Sequence, residues 1–285
     1  MNRLVSLLAV CCRRAIFSWK FAASVCGVTL VLFLTSYRMI GIQPDVLSVV
    51  MFSGSGNTIL ILAILPLLPF TTTFASEWEE RATGFWIIRS GVRFYAVSKL
   101  LASALSGFLV TFTGILLYAL ILLTRLPFFT CITTGDAYVP LLEAGKPVQY
   151  LLVSSAHLSL SSVLFAVAAL WISAYIPNRF TAIAAPAVLY FALYRLTRFW
   201  EIPPFLNVAT LVEGTYHAGS PLASFLVKLG TVTVLCVLMG IGTDGQIPAA
   251  SRICSYWPPS AGSLRTPTSG TVCAASVWIR TVKSP

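Results

Sequence analysis

Apolar residues along this chain come in continuous runs, without strict alternation with polar ones. Six runs stand out: 21–36 ("FAASVCGVTLVLFLTS"), 57–74 ("NTILILAILPLLPFTTTF"), 100–123, 158–176, 180–194 and 222–241. The third, "LLASALSGFLVTFTGILLYALILL", carries no charged residue. Wound as a helix it would reach about 36 Å at roughly 1.5 Å per residue, enough to cross about 30 Å of hydrocarbon with some tilt. Barrel strands would alternate lipid-facing and lumen-facing residues, and these runs do not. A helix closes its backbone hydrogen bonds within one segment, as lipid requires. The pattern predicts an all-α polytopic membrane protein with six transmembrane helices.

The connections refine the picture. Only "PNR" parts the fourth and fifth runs, which predicts a tight helical hairpin. Pro66 and Pro69 lie inside the second run, where each removes a backbone donor and bends a helix. Ahead of the first run, "MNRLVSLLAVCCRR" has a basic start and a short apolar stretch, like a signal peptide. Val10 occupies the place where a small residue would precede cleavage, and Arg13 and Arg14 follow at once. Residues 1–20 are therefore expected as an uncleaved N-terminal amphipathic segment lying in the membrane interface. Residues 21–242 form the six-helix membrane domain. The tail 243–285 is dense in Pro, Ser and Thr and has no helical period, which predicts disorder or loose coil, the look of a frameshifted end.

Composition agrees with a membrane chain: 57% of residues are hydrophobic and 10% charged, against roughly 25% charged in soluble domains. The net charge of +10 comes from basic residues scattered between apolar runs, which argues against nucleic acid and for loop charge at one membrane face. With the N-terminus inside, thirteen of the nineteen Lys and Arg residues fall on the inner segments and five on the outer ones. Positive charge favours the cytoplasmic side, so a location in the cytoplasmic membrane with both termini cytoplasmic is expected. Lys228, inside the sixth run, costs about 3 kcal/mol at the bilayer centre. Near the outer end, it is expected to snorkel outward or pack on a polar neighbour, with a place on a substrate path as the functional reading.

The candidate chemistry narrows by exclusion. Seven cysteines show no C-x-x-C spacing, and only His157 and His217 could join them at a metal. No metal or other cofactor is expected. The serines around His157 serve close helix packing, no G-x-S-x-G elbow occurs, and the chain is not expected to be an enzyme. No G-x-x-x-x-G-K-[ST] occurs either. Glu201 and Glu213 stand far apart in the outer connection and are expected to be solvated.

The most charged connection is 76–99, "SEWEERATGFWIIRSGVRFYAVSK". Trp78, Ala82, Phe85 and Trp86 recur at helical spacing, with Glu77, Glu80 and Arg81 on the other side. Glu77 and Arg81 form an i, i+4 pair in the favoured order. Gly84 can end this short interfacial helix, and Ser90 can cap a second one that runs through Lys99 into the third run. The exposed charge suits a docking surface for a soluble partner.

This segment resembles the cytoplasmic signature of ABC-2 type transporter permeases: Glu77, Glu79, Glu80, Gly84, "IIRSGVRFYAVSK" and then Lys99 at the opening of a long span. Family members often carry a proline in the turn where this chain has Ser90-Gly91-Val92. The layout is similar over about residues 1–242, from a basic amphipathic N-terminal segment through six spans to a larger outer connection before the last span, where 206–213 would form a short re-entrant helix. The resemblance implies a homodimer or heterodimer of permeases in the lipid bilayer, with export the common direction and the cargo left open. It also implies that Glu77, Trp78, Glu79, Glu80, Arg81 and Gly84 form the coupling helix docked on a cytoplasmic ATP-binding subunit. A gradient-driven transporter or channel, or a membrane anchor that transports nothing, are the competing expectations.

Overall fold

The structure is a computed structural model. It describes residues 2–40, 42–53, 64–70, 77, 91–131, 135–176, 178–199, 207, 210, 212 and 217–255. Among these the protein is all-helical. The helices are α1 (Asn2–Ile16), α2 (Trp19–Ser36), α3 (Val46–Ser53), α4 (Val92–Leu122), α5 (Val139–Glu143), α6 (Pro147–Tyr175), α7 (Arg179–Phe199) and α8 (Pro221–Ser255), with short 3-10 turns at Tyr37–Met39 and Leu65–Leu67. Five segments are long and apolar enough to cross a membrane: Trp19–Met39, Arg93–Leu122, Pro147–Tyr175, Phe180–Thr197 and Pro221–Gly242. They correspond to five of the six expected runs.

The remaining run, 57–74, falls largely outside the described residues. Its described part winds a 3-10 turn at Pro66, where Leu68 N–H donates to the Leu65 carbonyl at 3.3 Å. Three boundaries differ from the sequence reading. The fourth helix begins at Pro147, well before residue 158, because Ser154, Ser159, Ser161 and Ser162 turn inward to carbonyls and a neighbouring helix and do not interrupt the helix. Gly91, with φ 83°, stands at the N-cap of α4 and offers no side chain to cap that end; Ser90, the expected cap, lies outside the described residues. A left-handed φ at this turn suits glycine. Finally, α8 continues through Ser255, past the expected boundary into the stretch read as coil; residues 256–285 lie outside the described set.

α4 and α6 form the centre. α1 and α2 pack on α4, α7 packs on α6, and α8 lies against both α6 and α4. Lipid gives apolar side chains no hydrophobic drive to associate, so close backbone approach and interhelical hydrogen bonds carry the packing. A Cβ added at Gly107 would lie 3.0 Å from the Ser162 carbonyl oxygen and 3.0 Å from Ala166 Cβ. One turn on, Thr111 Oγ1 donates to Ser162 Oγ at 2.6 Å, and Ser103 Oγ donates to the Ala166 carbonyl at 3.2 Å. These pairs run in opposite senses along the two helices, so α4 and α6 are antiparallel. On the other flank Thr29 Oγ1 reaches the Gly114 carbonyl at 3.1 Å, and Ser36 bonds the Tyr118 hydroxyl. These rise together, so α2 and α4 are parallel.

The hairpin expected at "PNR" is present. Phe180 N–H donates to Asn178 Oδ1 at 2.9 Å, capping α7, and Phe165 meets Tyr190 edge-on with centroids 5.9 Å apart.

Candidate functional site

α1 places a stripe at helical spacing, Leu8, Cys11, Cys12 and Ala15, against Ala102 of α4 and Phe70. Its amphipathic pattern therefore has one face on the bundle. Beside that contact lies the most polar cluster among the described residues of this end. Lys99 Nζ sits 2.6 Å from Glu77 Oε1, and the Tyr95 hydroxyl donates to Glu77 Oε2 at 2.6 Å. Tyr95 and Lys99 are one turn apart on α4, so a single carboxylate bridges both. The ammonium also stands 5.1 Å from the centre of the Phe70 ring and 5.6 Å from that of Tyr95, a cation–π arrangement.

Glu77 is 8% exposed, Lys99 5% and Tyr95 1%. Charges taken so far from water persist only when paired and hydrogen-bonded, and here both carboxylate oxygens are occupied. The nearby Cys11 thiol is pushed up from its usual range by burial, partly offset by the Lys99 ammonium.

This geometry corrects one expectation. Glu77 was placed on the exposed side of the 76–99 segment; the structure turns it inward onto α4, where its charge is spent on Lys99 and Tyr95. The cause is the Tyr95–Lys99 pair, which offers a donor and a cation to a single carboxylate. Sequence spacing gives no sign of this, because Tyr95 and Lys99 lie 18 and 22 residues from Glu77. Trp78, Glu79, Glu80, Arg81 and Gly84 lie outside the described residues, as do the Glu77–Arg81 pair and the short amphipathic helix.

At the opposite end of the bundle, Asp45 organises the connections. Its Oδ1 accepts from Ser48 N–H at 2.9 Å, and its Oδ2 accepts from Thr130 N–H at 2.9 Å and Cys131 N–H at 3.4 Å. Burial alone would push this carboxyl up, but the hydrogen bonds outweigh it and hold the group below its usual range. One residue thus caps α3 and ties it to the segment that follows α4. Neither α3 nor this role was read from the sequence; an Asp directly before the apolar stretch "VLSVVMFS" was the available signal.

The same end holds a cleft of about 370 Å³, lined by residues 135–143 and 217–224, with Asp136, Glu143 and His217 as its titratable groups. Asp136 Oδ2 accepts from the Tyr150 hydroxyl at 3.0 Å. The Tyr138 hydroxyl lies 2.6 Å from His157 Nδ1, and both residues are buried. Burial, reinforced by the Asp136 charge, pushes the Tyr138 phenol well above its ordinary range, so it stays protonated. The serines flanking His157 turn to packing: Ser154 and Ser159 donate to carbonyls of α6 itself, while Ser161 donates to the Val212 carbonyl at 2.9 Å. Of the stretch 206–213, only 207, 210 and 212 are described, and Val212 is buried with Phe165 and Tyr190.

Lys228 is 5% exposed, and among the described residues its Nζ has no hydrogen-bond partner. The expected outward snorkelling does not occur. The side chain stays on the buried stripe of α8, between Phe225 and Val232, facing α6 and α4. Among the described residues no three His, Cys, Asp or Glu side chains converge as metal ligands would.

No family model, no curated protein and no solved structure matches this chain.

Proposed function

We propose that this chain is the membrane-spanning permease subunit of an ABC-type transporter. It works as a homodimer or heterodimer in the cytoplasmic membrane and moves cargo outward with ATP hydrolysed by a partner subunit. The observation that carries the reading is the buried Glu77–Lys99–Tyr95 cluster. It fastens the charged segment 76–99 to the root of a helix of 31 residues. A force applied to that segment is then transmitted to α4, and through the close α4–α6 contact to the centre of the bundle. A loop held only by solvated charges would absorb it.

Two further features support the topology. α2 and α4 are parallel, which supports taking the apolar run 57–74 as a return span between them. In this reading the chain has six spans, with both ends of the bundle domain on the face richer in Lys and Arg. α1, with its basic residues Arg13 and Arg14 in the last turn, lies in the interface of that face and braces Phe70 and Ala102.

In this reading Glu77 acts as the anchor, while Glu79, Glu80 and Arg81, with Trp78 and Gly84 shaping the turn, meet the ATPase. Purification of the tagged protein from neutral detergent tests it. A subunit bearing G-x-x-x-x-G-K-[ST] is expected to co-purify, and the pair Glu79→Lys with Glu80→Lys to release it. A chain that purifies without any such subunit, or a reversed variant that keeps it, would overturn the proposal.

A second reading, a gradient-driven transporter, draws on Lys228, since ionisable groups at membrane depth mark transport paths. It predicts cargo flux in proteoliposomes without any nucleotide.

A further inference from the structure

Buried lysines in membrane spans are normally accounted for in one of three ways: they pair with a carboxylate, donate to carbonyls, or snorkel to the headgroups. Among the described residues Lys228 does none of these. Its neighbours on the α8 stripe, Phe225, Val232 and Cys236, pack with apolar residues of α6 and α4. A methionine would fill the same space without the charge. A buried amine without a partner therefore points to a counter-charge that the described residues do not provide.

Its position can be fixed further. Gly242 abuts Trp171, since a Cβ there would lie 2.7 Å from the indole Nε1. Gly240 in turn abuts Leu100, near the start of α4. At 240–242 α8 therefore passes beside the start of α4 and the end of α6, and it runs parallel to α6. Counting back equal lengths along both helices puts Lys228 level with His157. One turn N-terminal of Lys228 is Ser224, which lines the cleft described above. Side chains on a helix lean toward its N-terminus, so the Lys228 stem leans toward the underside of that cleft.

We propose that Lys228 anchors a binding site for an amphiphilic anion, an acyl chain ending in a carboxylate or phosphate. The head pairs with the ammonium, and the tail lies along the apolar seam between α8 and α6. Two observations select this class. The surroundings of Lys228 are apolar, which suits a hydrocarbon tail and offers a small hydrophilic anion no second contact. The cleft above carries the Asp136 and Glu143 carboxylates, which repel an anion arriving through water but not one arriving from the bilayer. Leu222, Leu226 and Leu229 leave the outer side of α8 apolar and exposed, so the seam borders lipid.

The inference deepens the transport reading by naming a cargo class. The test needs neither ATPase nor flux, so failure of the site and failure of transport are separate results. The intact chain is placed in phosphatidylcholine nanodiscs and titrated with 11-(dansylamino)undecanoic acid, with empty discs subtracted. Saturable binding to wild type is expected, with Lys228→Met at least about tenfold weaker, since removing one member of a buried charge pair acts mainly on the bound state. Lys146→Met, at an exposed lysine, is expected to leave binding unchanged, and the methyl ester of the probe to bind both forms alike. Unfolding is followed in parallel: Lys228→Met is expected to melt no lower than wild type, because it removes an uncompensated charge. Equal affinity in Lys228→Met and wild type, no saturable binding to wild type, or an equal loss in Lys146→Met overturns the proposal. So does a Lys228→Met protein that melts clearly lower.

Discussion

Lys99 and Glu77 meet at 2.6 Å in a place from which water is nearly absent, with side chains 6% and 10% exposed. Removing one member of such a pair leaves the other charge buried without compensation, at a cost of about 3–5 kcal/mol. Glu77→Gln and Lys99→Met are each expected to lower stability by that order, read as a fall in the unfolding midpoint in detergent. The double variant Glu77→Met with Lys99→Met is expected to recover part of the loss, because both charges leave together. A double variant as unstable as the sum of the two singles would show that the residues act independently.

Tyr95 separates the hydrogen bond from the charge. Tyr95→Phe removes the donor to Glu77 Oε2 and keeps the ring beside Lys99. A loss of about 1–3 kcal/mol is expected, the usual range for a buried acceptor deprived of its partner. A change near zero would mean that the carboxylate is satisfied by Lys99 alone.

The α4–α6 contact is tested at Gly107. An added Cβ would meet the Ser162 carbonyl oxygen at 3.0 Å, and backbone cannot swing aside as a side chain can. Gly107→Val is expected to destabilise by about 1–3 kcal/mol as overpacking does. Cysteine pairs across the seam, Ser103→Cys with Ala166→Cys, are expected to crosslink less readily in that background. Unchanged stability and crosslinking would count against the tight approach.

Asp45 gives a pH dependence. Its folded-state carboxyl is held below the ordinary range by backbone and side-chain hydrogen bonds that outweigh burial. A depressed carboxyl contributes stability that is fully present above its unfolded-state value and is lost as pH falls through the folded-state value. Amide exchange in α3, at 46–53, is therefore expected to stay slow at neutral pH and accelerate on acidification. Asp45→Asn is expected to exchange faster at neutral pH and to lose that acid dependence. An acid response that persists in Asp45→Asn would assign it to another group.

Much of the architecture was legible because lipid imposes a simple rule. Uninterrupted apolar runs such as 100–123 have few alternatives to a spanning helix, and five of the six form helices long and apolar enough to span. What escaped the reading depended on partners distant in sequence. Glu77 looked like surface charge from its neighbours Glu79 and Glu80, while its actual partners, Tyr95 and Lys99, sit on another element. α6 looked shorter because Ser154 and His157 are polar; inside the bundle Ser154 donates to the Leu151 carbonyl and His157 meets the Tyr138 hydroxyl. α3 was missed because eight residues carry too little period to announce a helix, and its cap only matters once α4 brings Thr130 to Asp45. Lys228 was recognised as unusual from sequence, yet its failure to reach water depends on how α8 seats against α6 and α4.

The sidedness of the 76–99 segment tests the central claim most directly. Glu79→Cys is labelled with a membrane-impermeant maleimide in right-side-out and inside-out vesicles, and the native chain serves as the background for its own cysteines. The account predicts added label in inside-out vesicles alone, reduced when the ATP-binding subunit is present. Added label in right-side-out vesicles alone would put the segment on the outer face, where no cytosolic engine can reach it.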